Sequence, residues 1–265
     1  MIHLNSFVGT EGNGLSLQNH VLTIHHSILD TILIQNDLKI YVCSGASVEL
    51  LDMCQNQRIE LYVEQGARVT YQILNSKNTY RNFKCNGELI VTQICLEESK
   101  ESLDIELLSD FAKANVELLS LASHHLAEFT QRIEHKSKQT ESNISNFGVA
   151  LHSGEITFET TGQILKGMAK SKCVQLSKGI VLDDDSSVTS KPILLIDEFD
   201  VTANHGASIG KMSDDSLFYL MSRGLSKQEA FLLILEGILS PFISKVQDEQ
   251  LKASIKQRIE QLLKR

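Results

Sequence analysis

Ile40-Tyr41-Val42-Cys43-Ser44-Gly45-Ala46-Ser47-Val48 is answered downstream by Leu61-Tyr62-Val63-Glu64-Gln65-Gly66-Ala67-Arg68-Val69. Five positions match at a fixed separation of 21 residues: Tyr41 with Tyr62, Val42 with Val63, Gly45 with Gly66, Ala46 with Ala67 and Val48 with Val69. Each segment reads as strand, glycine turn, strand. One such unit cannot bury its own apolar face, whereas stacking one on the next buries a continuous column, so a repeat of this length predicts a β-solenoid. A β-sandwich with two similar hairpins gives the same local pattern and stands as the alternative. The echo weakens after Leu74, yet Ile105–Leu108, Val116–Leu121, Glu155–Phe158 and Ile180–Leu182 keep strand character. The solenoid reading predicts parallel coils from about residue 15 to residue 210, with Val42 stacked on Val63. The polar stretch His135–Asn146 (HKSKQTESNISN) reads as a loop or a weak edge strand.

The rest of the composition excludes more than it assigns. The 265 residues are 42% hydrophobic and 22% charged, ordinary values for a globular chain with a sizeable core. A formal net charge of −8 argues against nucleic acid as a partner, because phosphate binding needs clustered Lys and Arg. No apolar run reaches the ~18 residues of a membrane span, so no membrane is expected. The first residues, MIHLNSFVGTEGNG, lack the basic and apolar regions of a signal peptide, so the expected location is cytoplasmic. The five cysteines (Cys43, Cys54, Cys85, Cys95 and Cys173) contain no CxxC spacing, which points to buried small hydrophobes rather than a disulfide framework or a local zinc or ferredoxin-type site. No Walker A, GxSxG or HExxH motif occurs, and no enzymatic activity is expected.

The character of the chain changes at Ser213, which divides a β-domain, 1–212, from a helical region, 213–265. Ser213-Asp214-Asp215 offers an N-cap and an acidic first turn ahead of Leu217, Phe218, Leu220 and Met221, and Gly224 closes that helix. Ser226 and Glu229 have the spacing of a capping box for a second helix, Ala230 to about Leu239, with Pro241 after its end. A third helix runs from about Asp248 to Leu263, with Leu251, Ile255, Ile259 and Leu262 on one face. The second helix is apolar around most of its circumference. Either helices one and three bury it, or one side docks a partner.

Few residues suggest chemistry. His205, in Asn204-His205-Gly206-Ala207, sits among small residues that read as a turn in which Gly206 permits an unusual backbone angle; imidazole is a good iron ligand, and a surface His capping that turn is the plain alternative. Cys173 has Lys170 and Lys172 close in sequence, which would lower its pKa if they were close in space; a half-buried strand cysteine is the alternative. His124-His125 would alternate faces on a strand, and Asp183-Asp184-Asp185 reads as a solvated turn rather than a hard-cation site.

One block carries a family resemblance. Lys191–Gly224, KPILLIDEFDVTANHGASIGKMSDDSLFYLMSRG, joins His-Gly-Ala to Leu-Phe-Tyr-Leu-x-x-Arg-Gly. It resembles the SufB/SufD family of iron–sulfur cluster assembly proteins, most strongly over Lys191–Leu239 and more loosely back to about His135. The resemblance implies a right-handed parallel β-helix followed by a C-terminal helical region. It implies pairing through the β-helix with a SufB-like paralogue, or with a second copy, and docking of a SufC-like ABC ATPase on the C-terminal helices. The residues that match the docking region are Leu217, Phe218, Tyr219, Arg223, Phe231 and Ile234. Within the family the motif is closer to SufD. SufB members carry Glu-His-Glu where this chain has Asn204-His205-Gly206, and a Cys-Asp-Ser-Leu-like segment where it has Ser177-Lys178-Gly179-Ile180. SufD members read Cys-Ser-His-Gly-Ala against Ala203-Asn204-His205-Gly206-Ala207, so His205 remains as the candidate iron and cluster ligand while the nearby thiol is replaced by Ala203. The N-terminal helical region of longer members is expected to be missing or minimal. No tightly bound cofactor is expected, only a transient iron–sulfur cluster.

The leading expectation is a non-catalytic SufD-like scaffold. The alternative within the family is a self-sufficient homodimer that holds the cluster with the ATPase alone, with Cys173 or Cys43 supplying thiolate. A carbohydrate-active β-helix enzyme fits poorly, because the chain has no Trp and only 6% aromatic residues to line a groove.

Overall fold

The computed structural model describes residues 1–4, 14–212, 214–246 and 248–264. Short strands come first: β1 (Ile2–His3), β2 (Leu15–Gln18), β3 (Val21–Ile24), β4 (Ile32–Ile34), β5 (Leu38–Val42), β6 (Ser47–Asp52), β7 (Arg58–Val63), β8 (Arg68–Leu74) and β9 (Tyr80–Cys85). Longer ones follow: β10 (Glu88–Cys95), β11 (Ser99–Leu107), β12 (Lys113–Ser123), β13 (Leu126–His135), β14 (Glu141–Leu151), β15 (Glu155–Ile164), β16 (Lys172–Val181), β17 (Ser187–Ile196) and β18 (Thr202–Lys211). The chain then forms α1 (Asp214–Ser222), α2 (Lys227–Ile243) and α3 (Glu249–Lys264).

From β3 onward, successive strands alternate between two nine-stranded sheets. Sheet 1 runs β1-β4-β6-β8-β10-β12-β14-β16-β18, and sheet 2 runs β17-β15-β13-β11-β9-β7-β5-β3-β2. Val42 lies beside Val63 in sheet 2 and Val48 beside Val69 in sheet 1, in parallel register. The Tyr41 and Tyr62 rings stack with centroids 4.6 Å apart. The 21-residue echo is therefore one coil of a parallel β-helix lying on the next, and the sandwich alternative is excluded. Gly45 and Gly66 turn the same corner, both at φ +74, a backbone state that a side chain would strain. The expectation of parallel coils from residue 15 needs one correction: β2 and β3 pair antiparallel, a hairpin at the N-terminal edge.

The echo fades because the coil lengthens. Neighbouring coils touch through residues 21 apart at Ser44 and Gln65, 28 apart at Asn115 and Asn143, and 31 apart at Glu141 and Lys172. Residues 141–146, expected as loop or weak edge, lie in β14, an interior strand of sheet 1 paired along their length with β12 and β16. Their inward positions include Ser142 and Asn146, both buried, so the apolar alternation that marks a strand is broken there by polar residues.

Three apolar clusters hold the described residues together, the smallest being Leu118, Ala127, Phe129, Ile156, Phe158 and Val188 with their neighbours inside the later coils. The first fills the solenoid: Ile40, Val42, Leu61, Val63 and Phe83 from sheet 2 face Val48, Leu50, Val69, Tyr71 and Val91 from sheet 1. The second lies on the outer face of sheet 1. There Leu33, Leu51, Leu74, Leu119, Leu121, Val149 and Leu151 pack against Leu235, Leu239 and Ile243 of α2 and Ile255, Ile259 and Leu262 of α3. Leu235, Leu239 and Ile243 of α2 are thus taken up by sheet 1 together with α3, while Phe231 and Ile234 stay half-buried and Leu233 exposed. At ~1.5–3 kcal/mol for each fully buried Leu or Ile, this column is a major part of what ties the helices down. Gln72 adds a hydrogen bond to the Lys245 carbonyl at 3.0 Å, and Lys245 pairs with Glu117.

The helix boundaries mostly follow their signals. Ser226 and Glu229 form the capping box, with Glu229 N–H donating to Ser226 Oγ at 3.3 Å and Ser226 N–H donating to the Glu229 carboxylate at 2.8 Å. Gly224 has φ +98, and Leu225 N–H donates to the Leu220 carbonyl while Gly224 N–H donates to that of Met221, closing α1. Ser213, the expected cap of α1, lies outside the described residues. Pro241 does not follow α2 but sits inside it; the helix runs on to Ile243 because Ile243, and Val246 just beyond, are buried, so packing outweighs the lost backbone donor. Among the described residues no helix is long and apolar enough to cross a membrane.

One charged cluster lies inside the solenoid. Arg81 is 1% exposed. Its Nε donates to Asp52 Oδ2 at 2.7 Å, its Nη1 to Glu101, and its Nη2 to Ser76 Oγ at 2.6 Å. Tyr71 and the Cys54 amide complete the shell of Asp52 at 2.8 Å each. Burial alone would push the Asp52 carboxyl up, but the Arg81 guanidinium holds it below the ordinary value. Removing the cation strands two carboxylates. Arg81→Met is therefore expected to cost about 3–5 kcal/mol, read as a lower urea midpoint; an unchanged midpoint would sink this reading. Because the folded pKa of Asp52 is depressed, its stabilisation is present above the unfolded value of about 3.9 and is lost as pH falls through the lower folded value. Acid unfolding below about pH 4 should be shallower in Asp52→Asn than in the parent.

Candidate functional site

The solenoid ends with open edges. β18 is bonded on one side only, to β16, and β17 is the last strand of sheet 2. The register sets Ala203 beside Cys173, His205 beside Gln175, Ala207 beside Ser177 and Ile209 beside Gly179. Cys173, Gln175 and Ser177 are inward-facing and buried. His205 therefore belongs to the inward-facing row and is exposed because no coil follows it. This corrects the expected turn: Asn204-His205-Gly206-Ala207 is the middle of an edge strand, and Gly206 is not among the positive-φ glycines.

Cys173 is 1% exposed, and burial pushes its thiol above the ordinary value, with a hydrogen bond to Ser142 partly opposing. The activation expected from the lysines is absent, since Lys172 points outward to Glu141 at 3.4 Å and Lys170 occupies a left-handed turn at φ +62. Cys173 and His205 are diagonal neighbours on adjacent strands, roughly 8 Å apart at Cβ. Gly162, on the facing sheet, makes room for this row: a Cβ there would lie 2.3 Å from Cys173 Sγ and 2.8 Å from Gln175 Nε2. Gln175 donates through Nε2 to the Ile193 carbonyl at 3.2 Å and leaves its buried Oε1 without a partner.

Cys43 is half-buried, with Sγ 3.9 Å from His25 Nδ1, and burial followed by the Glu64 charge pushes its thiol up. It precedes β6, six strand spacings from β18, roughly 30 Å away. Within one chain Cys43 and His205 cannot bind a common cluster. His124 and His125 form a corner rather than a strand: His124 has φ +60 and stacks on His152 at 5.2 Å, and His125 Nδ1 contacts the Ser123 carbonyl at 2.9 Å. Asp183 accepts from His152 N–H and from Ser186 Oγ at 2.7 Å, which serves the turn. Among the described residues no group of three or more His, Cys, Asp or Glu is placed to hold a metal ion. His205 is thus an imidazole donor on an open edge that, among the described residues, belongs to no group of three or more such side chains.

The other candidates lie on the helices. α1 buries none of its residues. Phe218 is 74% and Tyr219 57% exposed, Leu217 is partly covered, and Arg223 lies 5.4 Å from the Tyr219 ring. Phe231 and Ile234 on α2 are half-buried. Sequence reasoning missed the exposed apolar residues of the terminal coil, which lie on different faces: Leu176 on the outer face of sheet 1, Ile193 and Leu195 on the outer face of sheet 2, and Ile209 on the open inward row of β18. The signal was present in Pro192-Ile193-Leu194-Leu195-Ile196, which is apolar on both faces of a strand whose outer face nothing covers.

Two measurements check this arrangement. Gly162→Ala should lower stability by about 1–3 kcal/mol, because the row above it has no room to move, and an unaltered melting temperature would count against the close packing. With a thiol reagent, Cys43 should react fast and the other four cysteines only on unfolding; Cys43→Ser should then remove the fast phase. A fast phase that survives would show that a second thiol is accessible.

Comparison with known proteins agrees with the geometry. Residues 29–238 match the family model described as SUF system FeS cluster assembly, SufBD core domain. The iron-sulfur cluster assembly protein SufD of Bacillus subtilis is 38% identical over 136 residues, which are 51% of this chain and 31% of that protein. An iron-sulfur cluster assembly SufBD family protein of Mycobacterium leprae is 28% identical over 201 residues, 72% of this chain and 23% of that protein. One from Staphylococcus epidermidis is 24% identical over 223 residues, 75% of this chain and 47% of that protein. The matched part of the chain spans less than half the length of each of these relatives. With the family model matched across the β-helix, α1 and most of α2, the chain belongs to the SufB/SufD family of iron–sulfur cluster assembly proteins and is SufD-like within it.

Proposed function

We propose that the chain is a non-catalytic SufD-like scaffold subunit that pairs with a SufB-like subunit through its last coil and carries a SufC-like ATPase on its C-terminal helices. The carrying observation is the extent of the family match, which runs from before β4 through α1 and into α2, so that both proposed surfaces fall inside it. Edge pairing is supported by the free backbone groups of β17 and β18 and by the exposed Ile193, Leu195 and Ile209 beside them. Docking of the ATPase is supported by the uncovered Phe218 and Tyr219, with Leu217, Arg223, Phe231 and Ile234 around them.

The iron–sulfur cluster is cargo in this reading. His205 offers one nitrogen to it at the seam between subunits, and the partner supplies the thiolates. Cys173 would have to lose both its proton and its burial before it bound iron, so the proposal rests on His205. A second copy could take the partner's place only if thiolates came from elsewhere, because two copies of this edge bring two His205 side chains and no exposed sulfur.

Phe218→Asp with Tyr219→Asp should abolish co-purification with the ATPase while leaving the melting temperature unchanged, since burying an unpaired charge costs several kcal/mol; retained co-purification would refute the α1 surface. His205→Ala should leave the complex assembled and remove cluster formation, with His205→Cys restoring part of it. Normal cluster formation in His205→Ala would end the ligand assignment.

A further inference from the structure

We infer that Gln175 is the positioning residue for His205: with the imidazole turned toward the buried row, the side-chain oxygen of Gln175, which has no partner in the structure, accepts the ring N–H, fixes the tautomer and leaves the other ring nitrogen free for iron. The inference rests on His205 being the iron ligand proposed above.

The register puts the two residues side by side on β16 and β18, on the same inward-facing row. Adjacent strands lie about 4.7–4.9 Å apart, a gap that a Gln and a His side chain can bridge. Gln175 is 2% exposed, and its amide is oriented, because Nε2 donates to the Ile193 carbonyl. That bond leaves Oε1 as a buried acceptor with no partner among the described residues. An unpaired buried acceptor is costly and draws in a donor. The next strand offers one donor in register with it, the ring N–H of His205. The neighbours of His205 on the same row, Ala203 and Ala207, have no side-chain donor and leave the ring free to turn. A neutral imidazole has one N–H and one lone pair. Engaging the N–H below directs the lone pair upward, out of the open end of the coil. A ligating His normally has this kind of support, and its removal weakens metal binding by about 10–100-fold.

Gly162 belongs to the same arrangement. The absence of a side chain there lets Gln175 Nε2 reach across to sheet 2. The amide is thus anchored on one sheet and presents its oxygen beneath the last strand of the other.

The test uses Gln175→Met, which keeps the volume and removes the acceptor, and Gln175→Glu, which keeps an acceptor. In the full chain, nitrogen-15 correlation spectra should show His205 as one tautomer whose N–H exchanges slowly with water. That signal should broaden or vanish in Gln175→Met and persist in Gln175→Glu. In the complex co-expressed with the ATPase and the SufB-like partner, and loaded anaerobically with ferrous iron and sulfide, Gln175→Met should weaken iron retention at least tenfold, with Gln175→Glu retaining most of it. Thermal unfolding reports whether each variant is folded. If His205→Ala lowers iron retention but Gln175→Met does not, the ligand reading survives and the positioning role is overturned. If His205→Ala retains iron as the parent does, both are overturned. A His205 N–H that exchanges freely in the parent chain also overturns the positioning role, whatever the iron measurements give.

Discussion

Each coil of a parallel β-helix satisfies its backbone through the coil before it and the coil after it. The last coil has no successor. In this chain that condition falls on β17 and β18, and the candidate site of the β-domain lies there. The N–H and C=O groups of two strands remain free along one side. The inward-facing row, closed elsewhere by the next coil, is open at His205. Apolar residues that would be outer-face oddities elsewhere, Ile193 and Leu195, stand beside a free edge. Proteins usually blunt such edges with charge or proline. Here Pro192 occupies an inward position, in register with Thr160, while the outward face is left apolar. The N-terminal end is treated differently: β2 folds back on β3 as a hairpin and gives that end of sheet 2 a short antiparallel border.

The interior changes character along its length. Around β5 to β9 it is aliphatic and aromatic, with one charged cluster whose members satisfy one another. Towards the last coils it mixes Phe129, Ile156, Phe158 and Val188 with the polar Gln131, Asn146, Thr160, Gln175 and Ser177. Some of these bond to each other, as Asn146 does to Gln131 at 2.8 Å, but Gln131 Nε2, Asn146 Oδ1 and Gln175 Oε1 keep unused capacity. A polar interior costs stability when its groups go unpaired. Its concentration at the open end, next to His205, is what links the buried row to the candidate site.

The repeat was legible where the coil was short. Gly45 and Gly66 marked the same corner twice because each adopts the left-handed state, and Val42 and Val63 marked the same inward position. Once the coil grew towards 31 residues the corners no longer aligned in sequence, and Glu141–Asn146 looked like a loop because its inward residues are Ser142 and Asn146. His205 was legible as a candidate but its setting was not: small residues imitate a turn, and only the register with β16 reveals a strand. The outer apolar column was hidden for another reason. Leu119 and Leu121 look like ordinary strand residues, and nothing local says that helices more than a hundred residues later will cover them. Pro241 misled because local propensity ends a helix there, while burial of Ile243 and Val246 continues it.

The outer column also divides the solenoid mechanically. From Leu33 on β4 to Leu151 on β14, sheet 1 is splinted by α2 and α3. Beyond that, among the described residues, the apolar packing against the splint comes from Leu182 and Met212, both partly buried, so β16 and β18 project from it as a short overhang. α1 joins the tip of that overhang to the start of the splint. A load on α1 therefore meets two very different stiffnesses. On the α2 side it is spread over six strands of packed leucine and isoleucine; on the β18 side it falls on an unsupported edge. Bending would concentrate at the boundary between β14 and β16, and the strand that carries His205 would travel furthest.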